Sequence, residues 1–453
     1  MDRRALVPAA VLLSLSSFPL TITGASVALP DLTGDLNASP TGAQWVVTGY
    51  NLCFAAFLAF GGSLADRLGT RRLHVAGVAA FLVGSALCSL AGDVGVLVAA
   101  RLLAGTGAAV ATATGQSLLA AAFDGAARTR VFGALGTALG AGLAFGPTIS
   151  GFLVDAVGWR AVFGVPAALA ALALLLCPAL PVGAGVGRGE VDRLGGALFT
   201  VGLGGLIWVS VEAPALGATH PAVLAAAVGV VVSAAWFVRV ERRRSAPVFD
   251  LALLRDRSFL GYSLAAAAMM GLLVPLLVYL PSYLIDVVGL DPARAGLWML
   301  VLTVPSVLLP GAGAALARRS PRLLVTGAVL VASAGAVSLV AIGPAGPPWL
   351  PLLLVGAGVG LTTGVVDGLA VSSAPADRAG TAAGLFNTAR LATETVALAT
   401  AGSVLTSLSG GHLAGDGFTG ALRVVVVALG CCGVAAAVGA NALLRRGEAA
   451  ARR

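Results

Sequence analysis

The stretch GSLADRLGTRRL, residues 62–73, decides the fold because it places a tight, charged turn between two long apolar runs. The runs, at 43–64 and 73–91, are each close to the roughly 20 apolar residues with which a helix crosses a bilayer core. A degraded copy, GAALARRSPRLL, occupies residues 313–324. The copy predicts two related halves, each with this loop after its second helix. The alternative is convergence, since arginine-rich turns are common at the cytoplasmic ends of membrane helices.

Composition excludes a soluble protein. Of the 453 residues, 58% are hydrophobic and only 11% are charged, and the mean hydropathy is +0.97. A soluble domain carries about 25% charged residues to cover its surface. The 61 glycines lie within apolar runs without a three-residue period, as in membrane helices that pack closely. We therefore expect a polytopic membrane protein.

The remaining apolar runs predict an all-α protein with fourteen transmembrane helices. Barrel strands are excluded, because they alternate apolar and polar residues over about 10 positions, whereas these runs are apolar throughout. The predicted spans are 5–29, 43–64, 73–91, 94–119, 130–154, 161–181, 194–212, 221–240, 258–284, 294–316, 323–342, 349–374, 380–407 and 421–444.

The basic residues predict the orientation. All are arginines, and most fall in loops on one side of the membrane when the N-terminus is placed in the cytoplasm. Because cytoplasmic loops carry the excess of basic residues, we expect both termini in the cytoplasm. This placement explains the net charge of +8 without a nucleic-acid partner. The N-terminus is similar to a secretory signal, but its apolar run is too long and is read as the first helix.

The span count predicts three segments. Residues 1–181 form an N-terminal six-helix bundle, and residues 182–245 contain a linker and two inserted transmembrane helices. Residues 246–453 form a C-terminal six-helix bundle with a short cytoplasmic tail. A substrate cavity near the bilayer midplane, between the bundles, is typical of transporters built from such repeats.

Several motifs together resemble the major facilitator superfamily and its fourteen-helix drug:proton antiporter family. Residues 62–72 resemble the cytoplasmic loop signature of the superfamily. Arg101-Leu-Leu-Ala-Gly-Thr-Gly is similar to its intramembrane arginine motif, and GLAFGPTISG at 142–151 to its antiporter motif. Further matching segments are VALP at 27–30, GWRAVFGVP at 158–166, DRLG at 192–195, FDLALLRDRSF at 249–259 and AGTAAGLFNTAR at 379–390. The resemblance implies the major facilitator fold and export of small amphipathic drugs or antibiotics in exchange for protons.

The loop residues are expected to form a gate whose ion pairs exist in one conformation and break in the other. In the second copy Ala317 replaces the aspartate, so the gate is expected on one side only. The alternative is a charged loop that only fixes the topology. The gating residues are Gly62, Asp66, Arg67, Gly69, Arg71 and Arg72.

The predicted span at 94–119 contains a buried arginine, and the predicted span at 130–154 contains a candidate hinge. Arg101 costs at least about 2.5–3.5 kcal/mol inside a membrane unless it is paired or hydrated. The resemblance links Arg101 to proton coupling, and the alternative is an anchor to backbone carbonyls. In the predicted span at 130–154, three glycines have no side chain and a proline has no backbone N–H donor. These features predict a hinge, and close helix packing is the alternative. The hinge residues are Gly142, Gly146, Pro147 and Gly151.

Two acids lie inside later spans. Burial favours the neutral form of a carboxyl group, so Asp367 and Glu394 are candidates for taking up a proton or a cationic substrate. Arg390 lies one helical turn before Glu394, and the alternative is a local ion pair between them. We predict that Arg101, Glu394, Asp367 and Arg390 form the coupling set.

The first helix departs from the family pattern. The family usually has an aspartate and an asparagine where this chain has Thr21 and Ser26. We hypothesise that Glu394 has taken over the acid function, and the competing inference is a neutral or anionic substrate. The candidate cavity residues are Thr21, Ser26, Asn51, Gln116 and Asn387.

The functional prediction is a proton-coupled antiporter in a bacterial inner membrane, acting as a monomer on a small amphipathic substrate. No cofactor, catalytic group or metal is expected, because the five cysteines show neither metal-ligand spacing nor a disulfide framework and the three histidines are far apart in sequence. The alternatives are an exporter or importer of an endogenous metabolite and a transport-inactive membrane sensor. An integral-membrane enzyme lacks a convergent catalytic set.

Overall fold

The structure is a computed structural model that describes residues 3–123, 125–180, 193–243, 253–343, 349–374, 379–410 and 415–451. Its long elements are all α-helices. They are α1 (Arg3–Asp35), α2 (Pro40–Leu68), α3 (Thr70–Leu90), α4 (Val94–Ala122), α5 (Gly125–Val157), α6 (Ala161–Leu176), α7 (Arg193–Leu216), α8 (Pro221–Glu241), α9 (Arg257–Asp286), α10 (Pro292–Leu308), α11 (Pro310–Ala317), α12 (Pro321–Ser338), α13 (Trp349–Thr362), α14 (Val365–Ser373), α15 (Ala379–Leu408) and α16 (Gly415–Ala451).

The all-α membrane architecture is confirmed, but the count of fourteen spans is not. Among the described residues, twelve helices are long and apolar enough to cross a membrane, or thirteen if a bent pair counts as one span. Helix α2 coincides with the predicted span at 43–64 and has 29 residues, but the count does not cover the whole helix, because residues 59–63 and 65–67 are only partly described.

Two predicted spans are broken helices. The span at 294–316 divides into α10 and α11, which meet at an angle of 42°. Pro310 begins α11, and a proline ring cannot continue the hydrogen bonding of the preceding helix. The span at 349–374 divides into α13 and α14 at Gly364, whose φ of 73° lies in the left-handed region. Glycine adopts this conformation without the steric penalty of a side chain.

The described chain divides into two compact units. Unit 1 contains residues 1–204 and 291–297, and unit 2 contains residues 205–290 and 298–453. The predicted boundaries at 181 and 245 stay a prediction.

Glycines hold the core of unit 1 together. A Cβ on Gly77 of α3 would lie 2.8 Å from the backbone nitrogen of Ala111 on α4. A Cβ on Gly107 of α4 would overlap the backbone at Phe81 on α3. Because both helices lack side chains at the crossing, their backbones approach closely, as small residues allow in membrane helices.

Helix α9 forms the centre of unit 2 and packs against α12, α14, α15 and α16. All of its residues from Gly271 to Leu284 are buried. Helix α8, by contrast, has few buried residues although it is apolar enough to cross a membrane. In a bilayer its apolar surface faces lipid rather than water.

Candidate transport and coupling site

Arg101 lies on α4 of unit 1 and is fully buried. Its Nε donates a hydrogen bond of 2.8 Å to the carbonyl of Val46 on α2, and its Nη1 donates one of 3.3 Å to the carbonyl of Thr21 on α1. The guanidinium also lies 4.4 Å from the ring centroid of Tyr50 and 5.7 Å from that of Phe163. Carbonyl dipoles and aromatic faces therefore stabilise this charge.

No described carboxylate forms an ion pair with Arg101. The position at which the family usually has an aspartate is Thr21, and Thr21 offers Arg101 only its backbone carbonyl. The Thr21 hydroxyl instead donates to the carbonyl of Ser17 at 3.3 Å. Arg101 thus connects α4 to α1 and α2, the arrangement that the anchoring alternative expects. Its role in proton coupling stays a prediction.

Arg390 of unit 2 has a different environment. Its Nη1 lies 3.1 Å from Oδ1 of Asp367 on α14, and the two side chains are 29% and 39% exposed. Together with Met269, Met270 and other residues they line a small cavity of about 50 Å³. The ion pair is therefore partly exposed, unlike the fully buried Arg101.

Glu394 lies one turn beyond Arg390 on α15 and is partly buried. Sequence spacing offered an Arg390–Glu394 ion pair as the alternative, but the arginine pairs with Asp367 instead. Glu394 forms no hydrogen bond or ion pair with any described residue, although the charge of Arg390 acts on it through space. Of the two embedded acids, Asp367 is paired with Arg390, whereas Glu394 has no hydrogen-bond or ion-pair partner among the described residues.

The predicted gate is described only in part. Gly62, Asp66 and Arg67 lie near the end of α2, but their side chains are outside the described part of the structure. Gly69 separates α2 from α3 with a φ of 88°, which explains the glycine at this turn. Arg71 donates a hydrogen bond of 3.3 Å to the carbonyl of Pro178 beyond α6, and Arg72 is exposed. The gating role stays a prediction.

The glycines of the antiporter motif lie at helix contacts within unit 1. A Cβ on Gly142 would lie 3.1 Å from Cβ of Pro19 on α1. A Cβ on Gly146 would overlap the Thr23 hydroxyl of α1, and one on Gly151 would overlap the carbonyl of Pro292. Helix α5 continues through Pro147. These positions are packing contacts in this conformation, and a hinge motion stays a prediction.

Polar contacts reinforce the packing of α5 on residues 291–297. The Thr148 hydroxyl donates to the carbonyl of Gly296 at 2.8 Å, and the Asp155 carboxylate accepts from the Ala293 nitrogen at 3.2 Å. Asp155 thereby neutralises the positive N-terminal end of α10. The sequence gives no local signal for this contact, because its partners are more than a hundred residues apart.

The candidate cavity residues are distributed over both units. Thr21, Ser26 and Asn51 are buried and donate to carbonyls of their own helices. Gln116 is exposed on α4, and Asn387 on α15 donates to the carbonyl of Ala383 at 3.0 Å. Their contact with a substrate stays a prediction.

Sequence reasoning missed Tyr50 as a partner of Arg101, and it assigned no contact to His74. The structure buries His74 completely and sets its Nδ1 3.1 Å from the carbonyl of Ala111. Both contacts join different helices, so no spacing pattern could reveal them. In the described part of the chain, no group of three or more potential ligand side chains is arranged to hold a metal ion.

The described residues form apolar helices long enough to cross a membrane, with charges embedded in them, as in an integral membrane transporter. The sequence profile of the Major Facilitator Superfamily matches residues 11–394. The chain belongs to this superfamily, and the predicted resemblance is confirmed.

Relatives and solved structures agree with this assignment. The chain is 33% identical over 396 residues to multidrug resistance protein Stp of Mycobacterium tuberculosis (strain CDC 1551 / Oshkosh), covering 84% of this chain and 72% of that protein. It is 34% identical over 423 residues to the probable actinorhodin transporter of Streptomyces coelicolor, covering 88% and 72%. The crystal structure of the POT family transporter PepTSo superimposes with a TM-score of 0.70, covering 98% of each chain. At 16% identity that match supports the fold alone.

Proposed function

We propose that the protein exports small amphipathic drugs or antibiotics from a bacterial cell in exchange for protons. The names of its relatives support this substrate class, since they include a multidrug resistance protein, a probable actinorhodin transporter and a tetracenomycin C resistance and export protein. Our placement in the inner membrane, with both termini in the cytoplasm, rests on the arginine distribution. We further propose that a monomer is sufficient.

The observation that carries proton coupling is the unpaired Glu394. A carboxyl group without a hydrogen-bond partner inside a membrane span is costly when charged, so it gains by taking up a proton or a cationic substrate. Asp367 forms an ion pair with Arg390 at 3.1 Å, which leaves Glu394 without a fixed counter-ion. Proton and substrate then compete for one site, and that competition couples their opposite fluxes.

The energetics are sufficient for uphill export. One charge that crosses 100 mV supplies about 2.3 kcal/mol. A tenfold proton gradient adds about 1.4 kcal/mol. Together they sustain a concentration ratio of several hundredfold for each proton exchanged, if the substrate carries no net charge.

The test is the substitution Glu394→Gln, which removes the charge and keeps the shape. We expect proton-driven drug efflux from proteoliposomes to be abolished, with expression and thermal stability retained. Asp416→Asn is the matched control, because Asp416 is an exposed acid at the start of α16 in the same unit. Efflux by the control should equal that of the wild type. Undiminished efflux by Glu394→Gln would refute the proposed coupling residue.

Binding of cationic and neutral drugs shows whether Glu394 also binds the substrate, and the direction of proton-driven transport distinguishes an exporter from an importer. If Glu394 also binds the substrate, the glutamine variant should lose binding of cationic drugs and keep binding of neutral ones. An inward proton gradient that accelerates uptake rather than efflux would identify an importer and contradict the proposed direction.

A further inference from the structure

One end of unit 2 has a surface that is rich in exposed arginines. A Cβ on Gly261 of α9 would lie 2.9 Å from Cγ of Leu444 on α16. The Nε of Arg322, at the start of α12, lies 3.7 Å from a carboxylate oxygen of Glu448 on α16. These contacts place the beginning of α9, the beginning of α12 and the end of α16 side by side. The exposed arginines of these helix ends and of the residues just before them, here the basic surface, are Arg255, Arg257, Arg318, Arg319, Arg445 and Arg446.

Nearby acids do not neutralise the basic surface. The described acids that lie beside it in sequence are Asp256 and Glu448. Asp256 caps α9 by accepting a hydrogen bond of 2.8 Å from the Phe259 nitrogen, and Glu448 pairs with Arg322. No arginine of the basic surface forms an ion pair with a described residue. The guanidinium groups are therefore available to an anionic partner.

The basic surface lies at the level of the lipid headgroups. Each of its arginines is within three residues of the end of a predicted span, at 258–284, 294–316 or 421–444. At about 1.5 Å per residue of helix, three residues extend about 5 Å beyond a span. The headgroup region on each side of the hydrocarbon core is about 5–7 Å thick. The guanidinium groups are therefore within reach of lipid phosphates.

Exposed leucines border the basic surface. Leu254, Leu316 and Leu323 are 39%, 49% and 64% exposed. Leu254 directly precedes Arg255, Leu316 lies two residues before Arg318, and Leu323 follows the paired Arg322. A soluble anion would bind the arginines and leave the leucines in water. A phospholipid instead offers a phosphate to the arginines and an acyl chain to the leucines, so it matches both parts of the surface.

We propose that the basic surface binds the headgroups of anionic phospholipids in the adjoining leaflet, with their acyl chains on Leu254, Leu316 and Leu323. Guanidinium groups and phosphates form paired, charge-assisted hydrogen bonds. In the predicted orientation this leaflet faces the cytoplasm, and anionic lipids give the cytoplasmic leaflet a negative surface potential. The binding involves neither substrate nor proton, so it is independent of the proposed export function.

The experiment measures lipid binding by the purified, delipidated full chain in detergent. Native mass spectrometry gives the dissociation constant of the first bound phosphatidylglycerol, which is anionic, and of phosphatidylcholine, which has no net charge. Phosphatidylglycerol should bind more tightly. In the double variant Arg445→Gln with Arg446→Gln, its dissociation constant should rise about 25-fold, because each arginine near an anionic lipid surface contributes a similar favourable free energy. The dissociation constant of phosphatidylcholine should not change.

The double variant Arg242→Gln with Arg243→Gln is the matched control. Both arginines are exposed directly after α8, which also belongs to unit 2 but has no substantial packing against α9, α12 or α16. The control removes the same charge from the end of another predicted span, and its binding of phosphatidylglycerol should equal that of the wild type. Equal weakening in the two double variants would show a general attraction between arginines and anionic lipid and would overturn the proposed site.

Glu448→Gln changes the binding in the opposite direction. The substitution removes a negative charge beside the basic surface and releases Arg322 from its ion pair. Phosphatidylglycerol should then bind about fivefold more tightly. Asp416→Asn removes an exposed acid at the other end of α16 and should leave the binding unchanged. Unchanged or weaker binding by Glu448→Gln would contradict the proposal.

Three results with the wild type would also overturn it. Equal affinity for phosphatidylcholine would show that the surface does not recognise charge. Displacement of phosphatidylglycerol by an equal concentration of glycerol phosphate would make the surface a site for a soluble phosphate. Displacement by an equal concentration of polyglutamate would make it a docking surface for an acidic protein segment. Because the assay measures no transport, failure of this proposal leaves the proposed export function untouched.

Discussion

The two units stabilise an intramembrane arginine in opposite ways. Arg101 of unit 1 is fully buried, bonds to two backbone carbonyls and faces two aromatic rings. Arg390 of unit 2 pairs with a carboxylate in a partly open cavity, and a second carboxylate lies one turn away. Backbone dipoles do not change with protonation, whereas carboxylates do. We therefore propose that the charge of unit 1 is fixed and that the charged set of unit 2 is switchable, and the coupling role of both stays a prediction.

Removal of Arg101 is the largest expected perturbation. It is the largest of the fully buried side chains, so Arg101→Ala leaves a cavity and should cost about 3–5 kcal/mol of stability, as large-to-small core substitutions do. Arg101→Met is the control, because it refills most of the volume without the hydrogen bonds. Thermal unfolding in detergent should place the Met variant between the wild type and Arg101→Ala. A fully stable Arg101→Ala protein would contradict the anchoring role.

A second substitution tests helix packing without charge. In Gly151→Ala the added Cβ overlaps the carbonyl of Pro292, so α5 and residues 291–297 must separate, at about 1–3 kcal/mol for an overpacked site. Thermal stability and drug export should both fall. A Cβ on Gly136, in the same helix, meets nothing within 4 Å, so Gly136→Ala should leave both unchanged or stabilise the helix slightly. Equal behaviour of the two variants would mean that the close contact does not exist.

The switchable set predicts a functional effect with little loss of stability. Asp367→Asn removes one half of a partly exposed ion pair, which should cost about 1 kcal/mol or less. Arg390 is then available to Glu394, and an ion pair there should reduce proton-driven export. The double variant Asp367→Asn with Arg390→Gln leaves Glu394 unpaired again and should recover part of the export. Failure of the second substitution to recover any export would refute this exchange of partners.

The smallest effect is expected at an exposed ion pair in unit 1. Arg160 lies 2.7 Å from Asp35, and both side chains are nearly half exposed. In the wild type the Trp159 indole nitrogen donates to the Asp35 carboxylate at 3.0 Å. Asp35→Asn keeps a side-chain oxygen that can accept this hydrogen bond. Stability should change by less than about 1 kcal/mol, as for other exposed pairs. A loss of several kcal/mol of stability would show that exposure does not make the contribution of this pair smaller than that of the buried Arg101.

The family and the helical architecture could be predicted from sequence, because the loop signature and the arginine motif are local patterns. The partner of Arg390 could not. Spacing along one helix brings Glu394 within a turn of Arg390, whereas Asp367 reaches it across a break at Gly364. Similarly, α10 and α11 separate at Pro310, although hydropathy alone reads them as one span. Long-range contacts and helix breaks depend on packing that no local pattern contains.

The proposed coupling requires Glu394 to accept the proton that substrate binding displaces. The most direct measurement is proton release from purified protein in weakly buffered detergent solution when a drug is added. We expect proton release by the wild type and by Asp416→Asn, and none by Glu394→Gln. Release of the same amount by the glutamine variant would contradict it.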